Sequence, residues 1–411
     1  MLALHSYILT TEIYRPMKKK VAVHEILNYI PDCQLDFFAS ETMVDWNSKK
    51  LQGKELFRLC LYGVLSQDRA SSRVFESFYE NSFFCRHAKV PKGKKVSHSS
   101  ICERIGKINV NYFEKLYGHT VDVFRDKLNE KDQARLCLYD STITSTAASL
   151  LDFGMENGQR NKKGEQGKRS IKFTVGFDGL PFTVKFHKDQ KMISENLALG
   201  DILASHATGK KDIAVFDRGM QDRKTMKKLS DDGKYFVTRI YKASKYDMVG
   251  ESQQTELSYE NDNIKLTGHS LVHLYSGGQK KVDTVFRLLE GTLKADGERI
   301  LFLSNLPEEG FTAEQIAEIY RNRWEIEKFF RFVKQELNFK HYFSRQWNGI
   351  QVMIYIILIA SILLLSYIRL NQLRGYKIPR ISFCNALQNE MIEDIVAHCG
   401  GDPSKINSFY T

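Results

Sequence analysis

Three acidic side chains stand where an acid is costly unless something uses it. Asp140 closes the run LCLYD and Asp217 closes IAVFD, so each ends an apolar stretch with strand character. Burial of a carboxylate at such an edge is unfavourable without a partner, and in open α/β sheets that edge is where ligands bind. Taken singly, either Asp also suits a cap or a turn. The third acid is Glu327, within TAEQIAEIYRNRWEIEKFFRFVKQELN (312–338), which reads as one long helix opened by a Thr312/Gln315 capping box. On a helical wheel Tyr320, Arg323, Glu327 and Lys334 share a stripe about 60° wide, bordering the apolar face of Ile319, Ile326, Phe330, Val333 and Leu337. Glu318, Glu325 and Glu336 project elsewhere, so Glu327 is the glutamate that could approach the sheet edge. Ordinary i,i+4 pairing on an amphipathic helix would give the same stripe.

Three converging carboxylates could hold two Mg²⁺ ions about 3.5–4 Å apart with open positions for water and phosphate oxygens. Such a pair activates a water or a 3′-hydroxyl and stabilises the leaving oxygen of an in-line displacement. Beside Glu327, Arg323 suits a forked phosphate contact and Lys334 a point contact.

The elements that must carry these groups change character along the chain. Residues 18–130 read as helical, through GKELFRLCLYGVLS (53–66), RASSRVFESFYENSFF (69–84) and a helix capped at Ser97 or Ser99 that continues through ICERIGKINVNYFEKLYGHTVDVF. A basic loop of Arg86, His87, Lys89, Lys92, Lys94 and Lys95 lies among them and suits either delivery of a helix to a DNA groove or a solvated surface. From 134 onward, ARLCLYD, SIKFTVGFD and PFTVKFH read as an antiparallel meander turning at FDGLP. A helix (194–206), the strand KDIAVFD, a helix (222–232) and the strand KYFVTRI follow, which makes a mixed α/β sheet. Before the second strand, Arg160, Lys162, Lys163, Lys168, Arg169 and Lys172 form a basic run that reads as a loop or a DNA track.

The expected organisation is a helical N-terminal DNA-binding domain (1–130), a catalytic core in two parts (131–240 and 306–375), a β-rich insertion between them (241–305), and a C-terminal helical segment (376–411). Residues 346–368 carry no charge and are long enough to consider as a membrane span. With no second span and flanking segments that read as soluble catalytic machinery, they read instead as a buried core helix.

The composition sets outer limits. The 411 residues hold 60 Lys plus Arg against 49 Asp plus Glu, a net charge of +11, with 42% hydrophobic and 27% charged residues. That is globular protein of more than one domain, not a disordered tail or a fibrous repeat. Seven scattered Cys without a CxxC pair argue against a zinc module and a secreted disulfide scaffold. The N-terminus lacks the basic segment and cleavage site of a signal peptide, and Met1 and Met17 are both plausible starts.

The pattern Y-x2-R-x3-E-x6-K, here Tyr320, Arg323, Glu327 and Lys334, resembles the signature of the insertion-sequence-four type of bacterial DDE transposase. The YDST box at Asp140, the DRG box at Asp217 and the strand-rich insertion before Glu327 agree with it. The likeness covers roughly 130–370. It implies an α/β, RNase H-like core, with Asp140, Asp217 and Glu327 as ligands of two Mg²⁺ or Mn²⁺ ions. It implies Tyr320, Arg323 and Lys334 as DNA contacts, with Trp324 as a cap for a flipped base. The implied reaction is cut-and-paste transposition through a hairpin, by a homodimer on paired ends of double-stranded DNA, in the bacterial cytoplasm at the nucleoid and without a membrane. One departure stands out: hairpin-forming relatives stack a flipped base on a Trp of the insertion, whereas Trp occurs here only at 46, 324 and 347. Tyr241, Tyr246, Tyr259 or Tyr275 could replace it. An RNase H-like nuclease that cuts without joining, and an inactive transposase-derived DNA-binding protein, remain open alternatives.

Overall fold

The structure, a computed structural model, describes residues 20–67, 70–91, 93–128, 134–147, 153–156, 168–205, 211–249, 255–277, 280–337 and 344–410. The N-terminal start at Met1 or Met17, Lys92, and Arg160, Lys162 and Lys163 of the basic run lie outside these residues. The chain divides into two units. The described parts of 15–131 and 330–411 form a helical unit, and those of 132–148 and 152–329 form a unit built on a sheet.

The helical unit opens with α1 (Val23–Leu27), α2 (Asp32–Thr42), α3 (Gly53–Ser66), α4 (Ser72–Ser77), α5 (Ser82–His87), α6 (His98–Lys107) and α7 (Val110–Leu128). Two stretches read from sequence as continuous helices are interrupted. Within 69–84, Asn81 accepts hydrogen bonds from the amides of Phe83 and Phe84 and starts a new helix, leaving a 3-10 turn at Phe78–Glu80. Short polar side chains compete in this way for backbone donors that a helix would use. After Ser97, whose hydroxyl caps α6, the chain breaks at Ile108–Asn109, where the Asn109 side chain accepts from the Asn111 amide and donates to the Thr42 carbonyl.

In the sheet unit, β1 (Leu136–Ala147), β3 (Lys168–Phe177) and β4 (Pro181–His187) are antiparallel neighbours, with β2 (Met155–Glu156) on β3. The turn into β4 uses Gly179 at φ 101°, a conformation glycine adopts without strain. Helix α8 (Glu195–Ser205) leads to β5 (Ile213–Phe216), and α9 (Arg223–Asp231) leads to β6 (Tyr235–Ile240). Both strands join in parallel on the other side of β1. The order β4-β3-β1-β5-β6 is the RNase H-like arrangement.

The inserted strands continue this sheet. They are β7 (Tyr246–Met248), β8 (Thr255–Glu260), β9 (Ile264–Ser276), β10 (Lys280–Lys281), β11 (Phe286–Leu293) and β12 (Arg299–Ser304). β12 pairs antiparallel with β6, from Leu301 opposite Ile240 to Ser304 opposite Val237, and β11 and β9 follow outward. Among the described residues the sheet holds twelve strands. Buried Phe216 and Phe236 stack at 5.8 Å between ring centroids at the middle of the sheet. Each large apolar side chain removed from water in this way contributes about 1.5–3 kcal/mol.

Residues 312–338 form two helices, not one: α10 (Ala313–Arg321) and α11 (Trp324–Glu336). Three-residue hydrogen bonds, from the Arg323 amide to the Tyr320 carbonyl and from the Glu325 amide to the Asn322 carbonyl, make the turn between them. The expected capping box at Thr312 and Gln315 is formed in both directions. The division between the units falls inside α11, after Phe329.

The helical unit is completed by α12 (Trp347–Leu370) and α13 (Lys377–His398). α12 is long and apolar enough to cross a membrane, yet 94% of its most apolar window is buried, against α3, α6 and α7 among others. Its two interior hydroxyls are satisfied locally: Ser361 donates to the Leu358 carbonyl and Ser366 to that of Ile362.

Candidate active site

The parallel ladder between β1 and β5 places two acids side by side. Its last register pair is Tyr139 with Phe216, so Asp140 and Asp217 are the next residues on neighbouring strands. Adjacent strands lie about 4.8 Å apart. Asp217 follows the end of β5, as read from sequence. Asp140 does not end its strand: β1 runs on to Ala147 against β3, and what ends at Asp140 is only the pairing with β5.

Glu327 sits in the first turn of α11, and the break before that helix lets two short helices address the same sheet unit. The Tyr320 hydroxyl, at the end of α10, donates to Asp217 Oδ1 at 3.2 Å. Arg323, in the turn, donates from Nη2 to Glu327 Oε1 at 2.8 Å and lies 5.6 Å from the centre of the Tyr320 ring. Phe329 stacks on Phe177 of β3 at 4.8 Å, which docks the start of α11 on the sheet. Trp324 is 54% exposed rather than packed. Lys334 lies farther along α11, beyond the unit division, with Nζ 5.7 Å from the centre of the Phe330 ring.

The electrostatics single out Asp140. Burial, then the charge of Glu195, and to a smaller degree that of Glu327, push its carboxyl up to about 7, against the opposing pull of the Ser141 amide and Arg323. Burial also pushes the Tyr320 hydroxyl up to about 12, with Arg323 opposing and Asp217 adding to the shift. Arg323 is raised: burial works against its charge, but Tyr320, Glu327 and Asp217 outweigh it. A half-buried patch of carboxylates interleaved with guanidinium groups is an arrangement that favours an added cation or a bound polyanion, according to which charges become engaged. Among the described residues no three His, Cys, Asp or Glu side chains are placed closely enough to enclose a metal ion. Two of the acids are held instead by Tyr320 and Arg323.

Two charged residues here escaped the sequence reading. Glu195 opens α8, whose helical character was read but not the effect of its charge on Asp140. Arg239, on β6, bears on Tyr320, and its Nε is buried without a hydrogen-bond partner. The basic run also changes meaning. Lys172 is a fully buried residue of β3, paired with Glu195 at 2.7 Å, and is neither a loop residue nor free to track DNA. In the basic loop of the helical unit, Lys89 pairs with Asp32 at 2.6 Å and Lys94 with Glu55 at 2.5 Å. His87 is pushed down to about 4, mainly by burial. On α6, Arg104 bonds the Leu51 and Val44 carbonyls and Asp45, so its charge serves the fold.

Comparison with known proteins identifies the family. Residues 131–363 match the family described as "Transposase DDE domain". The putative transposase for insertion sequence element IS4SA of Synechocystis sp. is 25% identical over 287 residues, covering 66% of this chain and 72% of that protein. The putative transposase y4zB of Sinorhizobium fredii is 28% identical over 159 residues, covering 39% of this chain and 43% of its own length. Among solved structures, the cryo-EM structure of the piggyBac transposase synaptic complex with hairpin DNA aligns with a TM-score of 0.46 at 10% identity, over 95% of this chain and 83% of that one. With more than half its length matched, the chain belongs to the DDE transposase family.

Proposed function

We propose that this transposase cuts and joins DNA strands at the edge formed by Asp140, Asp217 and Glu327, with these three carboxylates as ligands of divalent metal. The family is divalent-metal dependent, and the chemistry of the donor set suits such an ion. The donors are all carboxylate, which suits hard cations such as Mg²⁺ or Mn²⁺, and Glu195 Oε1, on a side chain whose charge acts on Asp140, is buried with no donor to satisfy it. When bound, the metal supplies activation of an attacking hydroxyl and charge neutralisation at the scissile phosphate.

The chain's own groups do the rest. Tyr320 fixes the orientation of the Asp217 carboxylate through its hydroxyl. Arg323 and Arg239 supply positive charge for phosphates beside the cut, and Arg323 can exchange Glu327 for a phosphate oxygen without leaving its place against Tyr320. Lys334 contacts the DNA backbone farther along α11. The enzyme acts as a homodimer on paired transposon ends, then on target DNA, in the bacterial cytoplasm.

Cleavage passes through a hairpin, with the extruded base received by Tyr241. This tyrosine is 51% exposed and lines a groove of about 530 Å³ with Gln221, Arg223 and Tyr275. The other candidates are engaged: Tyr259 donates to Glu318, Arg299 donates to Tyr246, and the Tyr275 ring is covered by Lys245 at 4.4 Å. Exposed Trp324 offers a second stacking surface nearer Glu327.

The observation that carries the proposal is the register of Asp140 and Asp217 on adjacent parallel strands, with the helix turn bearing Glu327 tied to Asp217 through Tyr320. Asp140→Ala, Asp217→Ala and Glu327→Ala should each reduce metal-dependent cleavage of transposon-end DNA by about a thousandfold or more while end binding persists. Gel assays of nicking, hairpin formation and strand transfer on labelled ends measure this. Full cleavage by the Glu327 variant would falsify the assignment, and nicking without any joined product would favour a nuclease.

A further inference from the structure

We propose that Arg223 is a DNA-binding residue, holding the backbone phosphate of the nucleotide whose base stacks on Tyr241. This deepens the reading of Tyr241 as the receiver of an extruded base and rests on it.

Among the described residues three arginines are less than a tenth exposed: Arg223, Arg287 and Arg380. Two of them meet carbonyls or an acid. Arg287 Nη1 donates to the Leu306 and Pro307 carbonyls, each at 3.3 Å, and to that of Phe311 at 2.7 Å. Arg380 bonds the Leu65 and Gln67 carbonyls and pairs with Glu336 at 3.6 Å. Arg223 meets neither kind of partner. Its Nη2 donates to Gln221 Oε1 at 2.9 Å and Ser244 Oγ at 3.2 Å, and its Nη1 to the Met226 sulfur at 3.4 Å. A guanidinium carries five N–H donors, and a thioether is a weak acceptor. The Nε–H and one Nη1 hydrogen thus have no acceptor among the described residues. Asp222, whose charge bears on Arg223, spends its carboxylate on the Lys224 and Thr225 amides and the Thr225 hydroxyl at the start of α9. Burial pushes the guanidinium down to about 10, which leaves it charged at neutral pH. A buried cation is costly without a counter-ion, and the fold supplies none in contact.

The groove indicates which anion would complete it. Arg223 and Ser244 line it together with Tyr241 and Tyr275, around a volume of about 530 Å³. Half-exposed Tyr241 offers a flat face to a base, and a guanidinium fork matches a phosphate. An aromatic face and a fork in one groove suit the two ends of a nucleotide. One wall is the loop that follows Asp217, where Asn196 Oδ1 accepts from the Gln221 amide at 2.6 Å and the Asp222 amide at 2.8 Å. Gln221 also donates from Nε2 to the Arg239 carbonyl at 3.5 Å, and the charge of Arg239 bears on Tyr320. The groove therefore adjoins the carboxylate edge, and the nucleotide it seats is one beside the cut.

The test is fluorescence anisotropy of the full chain with pre-nicked transposon-end DNA, in chelator and across a salt series. Thermal melts of the same samples report the fold. The DNA set includes duplexes with one uncharged methylphosphonate in place of each phosphate near the nick. Arg223→Met keeps the bulk and breaks no ion pair, so it should melt no lower than the wild type. It should bind about tenfold more weakly and reduce the slope of log affinity against log salt by about one. One methylphosphonate should cost the wild type the same factor of about ten and cost Arg223→Met nothing. Arg223→Lys should restore the salt slope but only part of the affinity. If Arg223→Met keeps the wild-type affinity and slope, or responds like the wild type to every methylphosphonate, Arg223 serves only the fold and the proposal is overturned. The reading of Tyr241 is checked separately with 2-aminopurine in place of each base near the nick. Tyr241→Ala should brighten one of these probes and leave the methylphosphonate profile as it is in the wild type. If no probe responds to Tyr241→Ala, the base-receiving role fails first and this inference falls with it.

Discussion

The helical unit and the carboxylate edge of the sheet unit treat buried polar atoms in opposite ways. In the helical unit Arg104 finds two carbonyls and Asp45, Ser361 and Ser366 close bonds within their own helix, and Lys94 meets Glu55. Among its described residues the Tyr112 hydroxyl is the exception. At the sheet edge Glu195 Oε1, Arg239 Nε and Arg323 Nε lack partners, and Asp140 carries a carboxyl pushed up to about 7 by burial and neighbouring acids. A region that only has to be stable closes its hydrogen bonds. A region that must receive a charged ligand leaves some of them open and loses stability until the ligand arrives.

The largest test of that contrast inserts an orphan charge where none is tolerated. Ile357 is 1% exposed inside α12, and Ile357→Asp should cost at least about 4 kcal/mol. Loss of the cooperative melt, or of helical circular dichroism, would be the readout, and an unchanged midpoint would break the comparison.

The converse change removes a charge the edge barely tolerates. The Asp140 carboxyl titrates near 7 when folded, against 3.8 for the unconstrained group. Between those values the folded state binds more protons, so stability falls as pH rises from about 4 to about 7. The penalty is complete above that window. In chelator, Asp140→Asn should therefore stabilise the protein at pH 8 by about 1–3 kcal/mol and have no such effect near pH 4. A pH-independent difference would show that Asp140 is not strained by its charge.

The smallest effect expected is at Lys334, outside the strained cluster. Lys334→Ala should weaken end binding several-fold and reduce the slope of log affinity against log salt by about one. An unchanged slope would remove Lys334 from the DNA contacts.

Much of this edge was legible in the sequence because its cues are local. The strand ending at Asp217, the meander from 134 and the Thr312 cap all follow from short-range pattern and appear in the fold, whereas β1 runs on past Asp140 to Ala147. The helix wheel assumed an unbroken helix through Asn322 and Arg323, and the turn there is set by packing against the sheet that no periodicity reveals. Lys172 alternates in β3 with Ser170 and Thr174, so period two marked it as sharing a face with small polar residues, but its charge suggested solvent. Glu195 and Arg239 escaped because their neighbours come from distant segments: Lys172 lies 23 residues before Glu195 in the chain, and Tyr320 belongs to a helix beyond the whole insertion. Likewise the join of β12 to β6 is a pairing across about sixty residues, invisible to composition.

The asymmetric ending of the β1 ladders has one more consequence. From Asp140 to Ala147 the strand is covered by β3 on one flank, while its ladder with β5 has stopped at Tyr139. Ile143 is exposed along that stretch. A strand without a ladder on one flank is an edge, so Asp140 stands where β1 changes, within one residue step, from an interior strand to an edge strand.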